Sequence, residues 1–483
     1  MLDQATAFDY LQRGLAGIAK QSVGWDRRQD YLEGRQDLPF APEGVSTEYM
    51  ALREQALANY LGLCMGAPVQ RMRADGFKTG RGGEADLVTW NEVWQPNKLD
   101  SRQGIVYKQM FVHGRGMMSV TGNTKKPKSP KIRPENAKRV WIEPDPEDPF
   151  TPLFAVKKLV VASQPQQSGL ILPASLIRQS TEVAYVYTDE EWIKFERAGI
   201  MGAWQIAEGK THSLGEIPFV AFDFNVDADG NPRGAITELM PQQDAVNTIR
   251  FNTLLAMQFS AYRQRIFTGY DPVVRDSKGN PLVKMKDGVP FLDSNGQQIP
   301  LTRSPGRIGV DRALVFPGDQ TKVYDLDESN LDNYIKSLDH FITALFATGQ
   351  IPPQYALNKM ANTSGDAMAG AEATFQSLIQ DLQISAGESV ETVMNLAGNA
   401  RGEGGGDLAA EVIWADPEIR SFAQIVDGIG KLVTSGMSRA DSWAMLPNAT
   451  PPRVAEWVKN SNADRAAADA EINALADKLA INA

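Results

Sequence analysis

The chain of 483 residues has little cysteine and little histidine, with one of the former and three of the latter. The single cysteine, Cys64, excludes an intramolecular disulfide framework, as is typical of proteins made in a reducing cytoplasm. It lies in the apolar stretch YLGLCMG, which favours a buried small side chain over a nucleophile. His340 falls within a predicted helix and is expected at a surface or an interface. Sequence alone gives no arguable Ser/His/Asp or Cys/His set.

Long apolar runs and a surplus of positive charge are also missing. No stretch approaches the roughly 20 apolar residues that cross a bilayer, and the start, MLDQATAFDYLQRG, lacks the regions of a signal peptide. Lysine and arginine number 49 against 59 acidic residues, a formal net charge of −10. A protein that grips nucleic acid usually carries a basic surplus. We therefore expect a protein made in the cytosol that handles DNA, if it meets DNA, loosely or at few places.

Motifs for nucleotides and metals are incomplete. The tripeptide GKT has Trp204 where a phosphate-binding loop needs glycine. The segment NVDADG resembles the start of a calcium loop, but Asn225 occupies the first ligand position and Ile236 the position of the bidentate glutamate, so a plain turn is the better interpretation. The acidic run 143–149 alternates with proline, which favours an exposed rigid turn over a metal site. No cofactor is predicted.

Hydrophobic periodicity predicts an α+β fold in which helices come first and a sheet follows. Apolar residues on one helical face predict helices at 4–20, 46–65, 84–95 and 101–113. Ser46 or Thr47 can cap the second helix. The period then shifts towards two, which predicts strands at 139–144, 153–162, 182–188 and 217–224. The turn cluster DADGNPRG ends this part.

Two apolar helices flank a β-rich insertion in the middle of the chain. The first, 235–267, is apolar over much of its circumference, as in helices buried on several sides. Residues 269–318 carry signals for turns and short strands. The second helix is the clearest in the chain, because its apolar residues follow a period close to 3.6: Leu331, Tyr334, Ile335, Leu338, Phe341, Ile342, Leu345 and Phe346.

Residues 349–364 predict a loop, since two consecutive prolines cannot continue the helix before them. Its one basic residue, Lys359, stands beside Asn358 and Asn362. A functional loop and a mobile surface connection are equally compatible with this sequence. A long helix follows to about residue 400, then a glycine-rich linker, a short strand at 411–416 and a helical remainder.

The segment 125–139 is locally basic. A phosphate-facing hairpin is one interpretation of its lysines and arginines. A solvated loop is favoured, because three prolines interrupt the segment.

Several short motifs, in this order, resemble elements of phage portal proteins. They are YLEGRQDLP (31–39), WQPNKLD (94–100), HGRGMMSV (113–120), IPPQYALNKMANTSGDAMAGAEATF (351–375) and WADPEIRSFAQIVDGIGKL (414–432). The likeness covers nearly the whole chain, although none of these motifs is diagnostic alone.

The resemblance implies a portal architecture with a wing, a stem, a clip and a crown. Its expected boundaries are 1–235 for the α+β wing, 236–268 for the first stem helix, 269–326 for the β-rich clip, 327–348 for the second stem helix, 349–364 for the tunnel loop, 365–407 for the long wing helix and linker, and 408–483 for the helical crown. The residues expected to pack the stem are Leu331, Tyr334, Ile335, Leu338, Phe341, Ile342 and Leu345. Those expected in the DNA channel are Gln354, Asn358, Lys359 and Asn362, with Lys359 contacting phosphate.

The resemblance also implies partners and a location. The chain is expected to form a ring of about twelve subunits at one capsid vertex, through which double-stranded DNA is packaged and ejected. Expected partners are terminase, head-completion or adaptor proteins, the major capsid protein and a scaffolding protein. The protein would belong to the virion, and to the host cytoplasm during assembly.

Two other classes of function compete with this interpretation. A DNA-packaging enzyme would need a phosphate-binding loop or a cluster of carboxylates for metal, and the sequence offers neither. Another virion structural protein, such as a capsid or head–tail adaptor protein, would lack the order of helix, β insertion, helix, loop and long helix.

Overall fold

The computed structural model divides the chain into two compact units. It describes residues 2–41, 50–80, 85–161, 181–199, 202–261, 265–268, 273–286, 288–302, 322–325, 331–352, 355, 365–403, 407–417, 422–446, 449 and 451–481. The larger unit comprises Met1–Asp37, Ala58–Asp244 and Ile342–Ala483. The smaller unit comprises Leu38–Leu57 and Ala245–Phe341.

Helices open the chain, a run of antiparallel strands follows between residues 115 and 223, and long helices return after residue 236, which confirms the predicted α+β class. The α-helices are α1 (Gln4–Ser22), α2 (Trp25–Glu33), α3 (Leu52–Ala56), α4 (Tyr60–Arg71), α5 (Leu99–His113), α6 (Ile236–Ala261), α7 (Leu331–Thr348), α8 (Gly365–Arg401), α9 (Phe422–Thr434), α10 (Arg439–Ala444) and α11 (Pro451–Ile481). A π-helical turn (Thr89–Trp94) and 3₁₀ turns (Gln95–Asn97 and Ala137–Arg139) lie among them.

The strands belong to several small sheets. They are β1 (Ala74–Lys78), β2 (Arg115–Thr121), β3 (Lys131–Glu135), β4 (Val140–Pro144), β5 (Pro152–Val161), β6 (Thr181–Tyr187), β7 (Glu191–Ala198), β8 (Gln205–Thr211), β9 (Phe219–Asp223), β10 (Arg265–Thr268), β11 (Met285–Lys286), β12 (Val289–Pro290), β13 (Lys322–Asp325) and β14 (Glu411–Trp414).

The helix α1 covers one face of a five-stranded antiparallel sheet with the order β4-β5-β6-β7-β8. Leu11 and Ile18 of α1 pack with Phe154 and Phe195 of the sheet. Full burial of each such side chain contributes about 1.5–3 kcal/mol to folding. The predicted helix at 4–20 is confirmed, and its apolar face is what holds it on the sheet.

A second sheet, with the order β3-β2-β9, lies against the long helix α8. The hydroxyls of Ser385 and Ser389 in α8 donate to the carbonyls of Asp223 (2.5 Å) and Ala221 (3.0 Å) in β9. Arg115 of β2 donates twice, at 2.6 Å each, to the carboxylate of Asp223. The serine bonds fix the helix against the edge strand β9, and the arginine ties that strand to β2.

The strands β1 and β14 join distant parts of the larger unit. Their ladder runs antiparallel from Lys78 opposite Glu411 to Ala74 opposite Trp414. The ring of Trp414 lies 5.7 Å from that of Tyr107 in α5. The predicted strand at 411–416 is therefore confirmed, and it brings the chain after α8 back to the N-terminal helices.

The predicted helix at 46–65 is wrong, because the chain breaks it into α3 and α4. The side-chain oxygen of Asn59 accepts a hydrogen bond from the Gly62 amide at 2.8 Å and starts a new helix. The side-chain nitrogen of the same residue donates to the Leu32 carbonyl at 3.0 Å. This tertiary contact overrides local periodicity. The predicted caps, Ser46 and Thr47, lie outside the described residues.

The predicted helix at 235–267, and with it the boundary of the first stem helix at residue 268, runs too far. The helix α6 begins at Ile236 but ends at Ala261, and Arg265–Thr268 is the strand β10. This strand pairs antiparallel with β13 in the smaller unit. Its sequence RIFT has β-branched and aromatic residues that suit a paired strand.

The basic segment 125–139 is not a loop throughout. Residues Lys131–Glu135 form β3, and Ile132 is fully buried there. Pro134 is tolerated because β3 is an edge strand, where a missing amide donor breaks no ladder. The sequence analysis also missed β7 and β8, and the GKT tripeptide lies in the exposed strand β8.

Short turns and strands fill the smaller unit between residues 273 and 302, as predicted for this part of the insertion. The carboxylate of Asp276 accepts the amides of Lys278 and Asn280, at 2.9 Å each. Asp293 accepts the amides of Asn295 (2.9 Å) and Gln297 (2.8 Å) in the same way. Side-chain acceptors of this kind define tight turns without metal.

We predict that Gly14→Ala destabilises the protein. A Cβ at Gly14 would lie 2.1 Å from Cγ2 of Val156, so helix and sheet would have to separate. Overpacking of this kind costs about 1–3 kcal/mol, and the midpoint of thermal unfolding should fall. Gly104→Ala is the matched control, because a Cβ there meets nothing within 4 Å. That helical position should gain about 0.5–1 kcal/mol. Equal midpoints for the two variants would contradict the close approach of α1 to β5.

Candidate functional site

The strongest candidate for a functional site is the region around the predicted loop 349–364. Its predicted channel residues Gln354, Asn358, Lys359 and Asn362 lie outside the described residues. The structure describes the residues on both flanks of that stretch, as well as Tyr355 within it. The geometry of these flanks defines how the chain enters and leaves the loop.

The helix α7 ends in a tight C-terminal cap. Gln350 adopts a left-handed conformation with φ of 57°. Its amide donates to the Ala347 carbonyl (3.1 Å), and the next amide, of Ile351, donates to the Phe346 carbonyl (2.8 Å). These two bonds form a Schellman motif, which satisfies carbonyls that the helix end would leave unpaired. The chain therefore leaves α7 in one fixed direction.

Apolar burial reinforces this cap. Phe346 is fully buried and Ile351 is 2% exposed. The hydroxyl of Thr348 accepts a hydrogen bond from the Gln242 side chain at 3.1 Å. A Cβ on Gly349 would lie 3.4 Å from Leu239, so the chain passes close to the first turns of α6. The first flank of the loop is thus packed.

On the other side of the predicted loop, the contacts lie around Arg71, the last residue of α4. Its Nη1 lies 3.6 Å from a carboxylate oxygen of Glu372 in α8 and donates to the Pro417 carbonyl at 3.4 Å. Its Nη2 donates to the hydroxyl of Tyr355. The guanidinium also lies over the ring of Phe375, 4.8 Å from its centroid. One arginine therefore contacts Tyr355, α8 and the chain after β14.

Tyr355 is held by its ring as well as by its hydroxyl. The ring lies 5.9 Å from that of Phe375, and the hydroxyl is 3.4 Å from a carboxylate oxygen of Glu372. Burial, and secondarily the carboxylate of Glu372, raises the pKa of the Tyr355 phenol, while the charge of Arg71 opposes the shift. The hydroxyl therefore keeps its proton and can donate to Glu372 while it accepts from Arg71.

Sequence reasoning missed this cluster. Arg71 and Tyr355 are 284 residues apart, and Arg71 and Pro417 are 346 apart. Tyr355, Glu372 and Phe375 stand in the portal-like motif 351–375, and Pro417 stands in the motif 414–432. No spacing in the sequence indicates that these residues meet Arg71.

The predicted stem-packing residues of α7 divide into two groups. Ile342 and Leu345 are buried, while Leu331 and Leu338 are partly exposed. Tyr334 (37%), Ile335 (52%) and Phe341 (39%) are exposed within one chain. The exposed apolar side chains continue the stripe that the sequence predicts.

A cleft of about 1250 Å³ lies elsewhere in the larger unit. Trp25, Arg28 and His113 are among the residues that line it. The rings of Trp25 and His113 stack with their centroids 3.7 Å apart. The Nδ1 of His113 accepts from Arg28 (3.5 Å), so its Nε2 carries the proton and donates to the side-chain oxygen of Gln29 (3.1 Å). This histidine is locked as a packed, neutral side chain.

Other chemistry-bearing residues have structural roles. Cys64 is fully buried, and burial raises the pKa of its thiol to about 12, as expected for a packed rather than a reactive cysteine. The carboxylate of Asp227 accepts the amides of Asp229 and Asn231, which confirms the predicted turn. The described part of the chain contains no cluster of His, Cys, Asp and Glu side chains fit to hold a metal ion.

A comparison with known families decides the class of protein. The sequence profile of the family described as "Phage portal protein, SPP1 Gp6-like" matches residues 25–473. This chain belongs to the phage portal protein family. Portal proteins are structural components of phage particles, and this membership confirms the resemblance read from the motifs.

Two curated portal proteins resemble this portal chain along most of its length. The portal protein of Mycobacterium phage L5 is 24% identical over 417 residues, which cover 82% of this chain and 76% of that protein. The portal protein of Mycobacterium phage D29 is 24% identical over 413 residues, with the same coverage. Among the described residues of this portal chain, no helix is long and apolar enough to cross a membrane.

We predict that His113 makes the stability of the portal chain sensitive to acid. Burial, and secondarily the charge of Arg28, lowers the pKa of His113 from 6.5 to about 3, with Asp26 opposing the shift. Between these values the unfolded chain binds one more proton than the folded chain. Stability is therefore complete above about pH 6.5 and falls by about 1.4 kcal/mol per pH unit below it.

His113→Phe keeps a ring against Trp25 and removes the titration. Between pH 7 and pH 5 the wild type should lose about 2 kcal/mol more than this variant, measured by urea unfolding at each pH. The difference between the free energies of unfolding of the two proteins removes the contribution of every other titrating group, because both proteins share those groups. Parallel losses of stability would mean that His113 is protonated in the folded chain.

Proposed function

We propose that this protein forms the portal ring at one vertex of a phage capsid. The ring is the channel through which double-stranded DNA enters during packaging and leaves during ejection. Terminase docks on it during filling, and head-completion or adaptor proteins dock later, while the major capsid protein and a scaffolding protein surround it. The observation that carries the proposal is the family match over residues 25–473.

In this proposal the elements take the roles that the family resemblance implies. Residues 1–235 form the wing, α6 and α7 form the stem, and the strands between them form the clip that meets terminase. The helix α8 belongs to the wing, and α9, α10 and α11 form the crown. The first stem helix is shorter than the sequence predicts, because α6 ends at Ala261.

The exposed apolar residues of α7 support ring formation. Tyr334, Ile335 and Phe341 are exposed in one chain. Side chains of this size at helical spacing are usually covered by a partner. In a ring each subunit contacts two neighbours through different surfaces, and this face of α7 would pack against a neighbouring stem helix.

The charge of the protein suits a conduit. With a formal net charge of −10, the ring would repel DNA over most of its surface and let it slide. The tunnel loop would line the channel, with Gln354, Asn358 and Asn362 facing the duplex. Lys359 would supply a phosphate contact, one weak enough to break at each step.

Two alternatives stay open in principle, and each makes a different prediction. A capsid or adaptor protein would assemble into shells or into rings. Substitutions within residues 349–364 would then leave DNA packaging unchanged. A packaging enzyme would hydrolyse ATP or cleave DNA when purified. Neither has a supporting observation equal to the family match.

We predict that the purified protein forms rings of about twelve subunits, and that Ile335→Asp prevents this. A charge buried in an apolar interface costs several kcal/mol. Native mass measurement with negative-stain images should give a particle of about twelve times the 52.9 kDa of one chain, with a central hole. The variant should stay a folded monomer.

Asn333→Asp is the matched control, because Asn333 is an exposed polar residue on the same turn. It should assemble as the wild type does. A compact wild-type monomer or dimer across salt and protein concentration would contradict the proposed function. Rings of Ile335→Asp would move the subunit interface away from this face of α7.

We predict that Lys359→Ala leaves ring assembly intact and changes DNA packaging or retention. Loss of one phosphate contact weakens DNA binding at every sequence equally. The measurement is the amount of nuclease-protected DNA per particle after packaging. Lys108→Ala, at an exposed position of α5, is the control and should package normally. Loss of rings in Lys359→Ala would give Lys359 a structural role instead.

A further inference from the structure

We propose that Arg71 is a positioning residue that anchors Tyr355, a residue within the predicted tunnel loop at 349–364. The inference rests on the proposed function only for the role of that loop. Tyr355 keeps its place because Arg71 links it to α8 and to the segment after β14.

Arg71 joins four segments of the larger unit, one of which is its own helix. The residue ends α4, and it meets Tyr355, the Glu372 carboxylate of α8 and the carbonyl of Pro417. The fork of the guanidinium provides N–H donors in one plane, so one side chain can serve several acceptors at once. Its flat face stays available for the ring of Phe375, 4.8 Å away.

Burial makes these contacts costly to lose. The side chain of Arg71 is 14% exposed and that of Glu372 is 19% exposed. If Arg71 is removed, Glu372 becomes a largely buried carboxylate without its cation, and the hydroxyl of Tyr355 loses its donor. The position of Tyr355 should relax first, because it is the most exposed of the three, at 37%.

The predicted loop contains a single trypsin site beyond Tyr355. Lys359 is the one lysine or arginine between Gly349 and Gly365, so trypsin can cut this stretch only there. Cleavage requires that the chain around the bond open into the protease. The rate of cleavage therefore measures how firmly this stretch is restrained.

The chain also supplies a matched control. Arg13 has the same kinds of partner at another place in the larger unit. It donates to a carboxylate oxygen of Glu143 at 2.7 Å and lies over the rings of Phe154 (5.2 Å) and Tyr10 (6.0 Å). Arg13→Met removes a comparable cluster without touching Tyr355.

The test is limited trypsin digestion of the full chain, with the cut after Lys359 followed by mass spectrometry. Arg71→Met should raise the initial rate of this cut about tenfold or more. Arg13→Met should change it less than about twofold. Tyr355→Phe, which keeps the ring against Phe375 but loses both hydrogen bonds, should lie between them. The double variant Arg71→Met/Tyr355→Phe should be cut no faster than Arg71→Met, since both substitutions break the same linkage between Arg71 and Tyr355.

Several results would overturn the inference. One is cleavage of Arg71→Met at the wild-type rate, and another is cleavage of Arg13→Met as fast as that of Arg71→Met. A wild-type chain that is cut as fast as a urea-unfolded chain would also show that Tyr355 restrains nothing. If Arg71→Met fails to fold by circular dichroism, Arg71→Lys replaces it. That variant keeps the charge but not the fork, and an unchanged rate there would equally overturn the inference.

This readout separates the inference from the proposed function. Digestion needs neither a ring nor DNA, so a faster cut in Arg71→Met supports the anchor even if the protein forms no ring. Normal rings with an unchanged rate of cleavage would leave the portal role intact and remove the anchor.

Discussion

The larger unit depends on the apolar face of one long helix, α8. The helix has 37 residues, and its buried side chains recur every three or four positions: Phe375, Leu378, Ile379, Leu382, Ala386, Val390, Val393 and Leu396. Each of the large ones contributes about 1.5–3 kcal/mol by leaving water. The same helix contacts β2, β9, β14 and α4. The helix thus links the three-stranded sheet, the β1–β14 ladder and the Arg71 cluster.

The motifs through which the chain resembles portal proteins perform backbone tasks. In WQPNKLD, the side chain of Asn97 donates to the carbonyls of Val93 and Pro130 (2.8 Å each) and accepts from the amide of Ile132 (2.9 Å). In HGRGMMSV, Gly114 has φ of 92°, and a Cβ there would lie 2.9 Å from the backbone of Arg233. Few residue types meet such demands. These motifs are therefore readable at the sequence level.

The sequence predicted those parts of the fold that local physics decides. The helices α1, α7 and α8 have apolar residues at helical spacing, and packing agrees with that spacing. Where a distant group competes, prediction failed: Asn59 breaks a helix because Leu32 accepts its amide, and Arg265–Thr268 is a strand because β13 pairs with it. The cluster at Tyr355 depends wholly on such non-local contacts, and no periodicity in the sequence predicts it.

Non-local contacts of the same kind hold several arginines of this acidic protein inside the larger unit, where they are not available to phosphate. Arg401, 6% exposed, pairs with Glu92 at 2.7 Å, and Arg115, 16% exposed, pairs with Asp223. Arg71 is used in the same way. A guanidinium held by a carboxylate in a largely buried position has neither the reach nor the free donors to grip DNA. In the proposed DNA channel, contacts with the duplex would then fall to exposed lysines, whose compact charge on a flexible stem suits brief contact with a moving duplex.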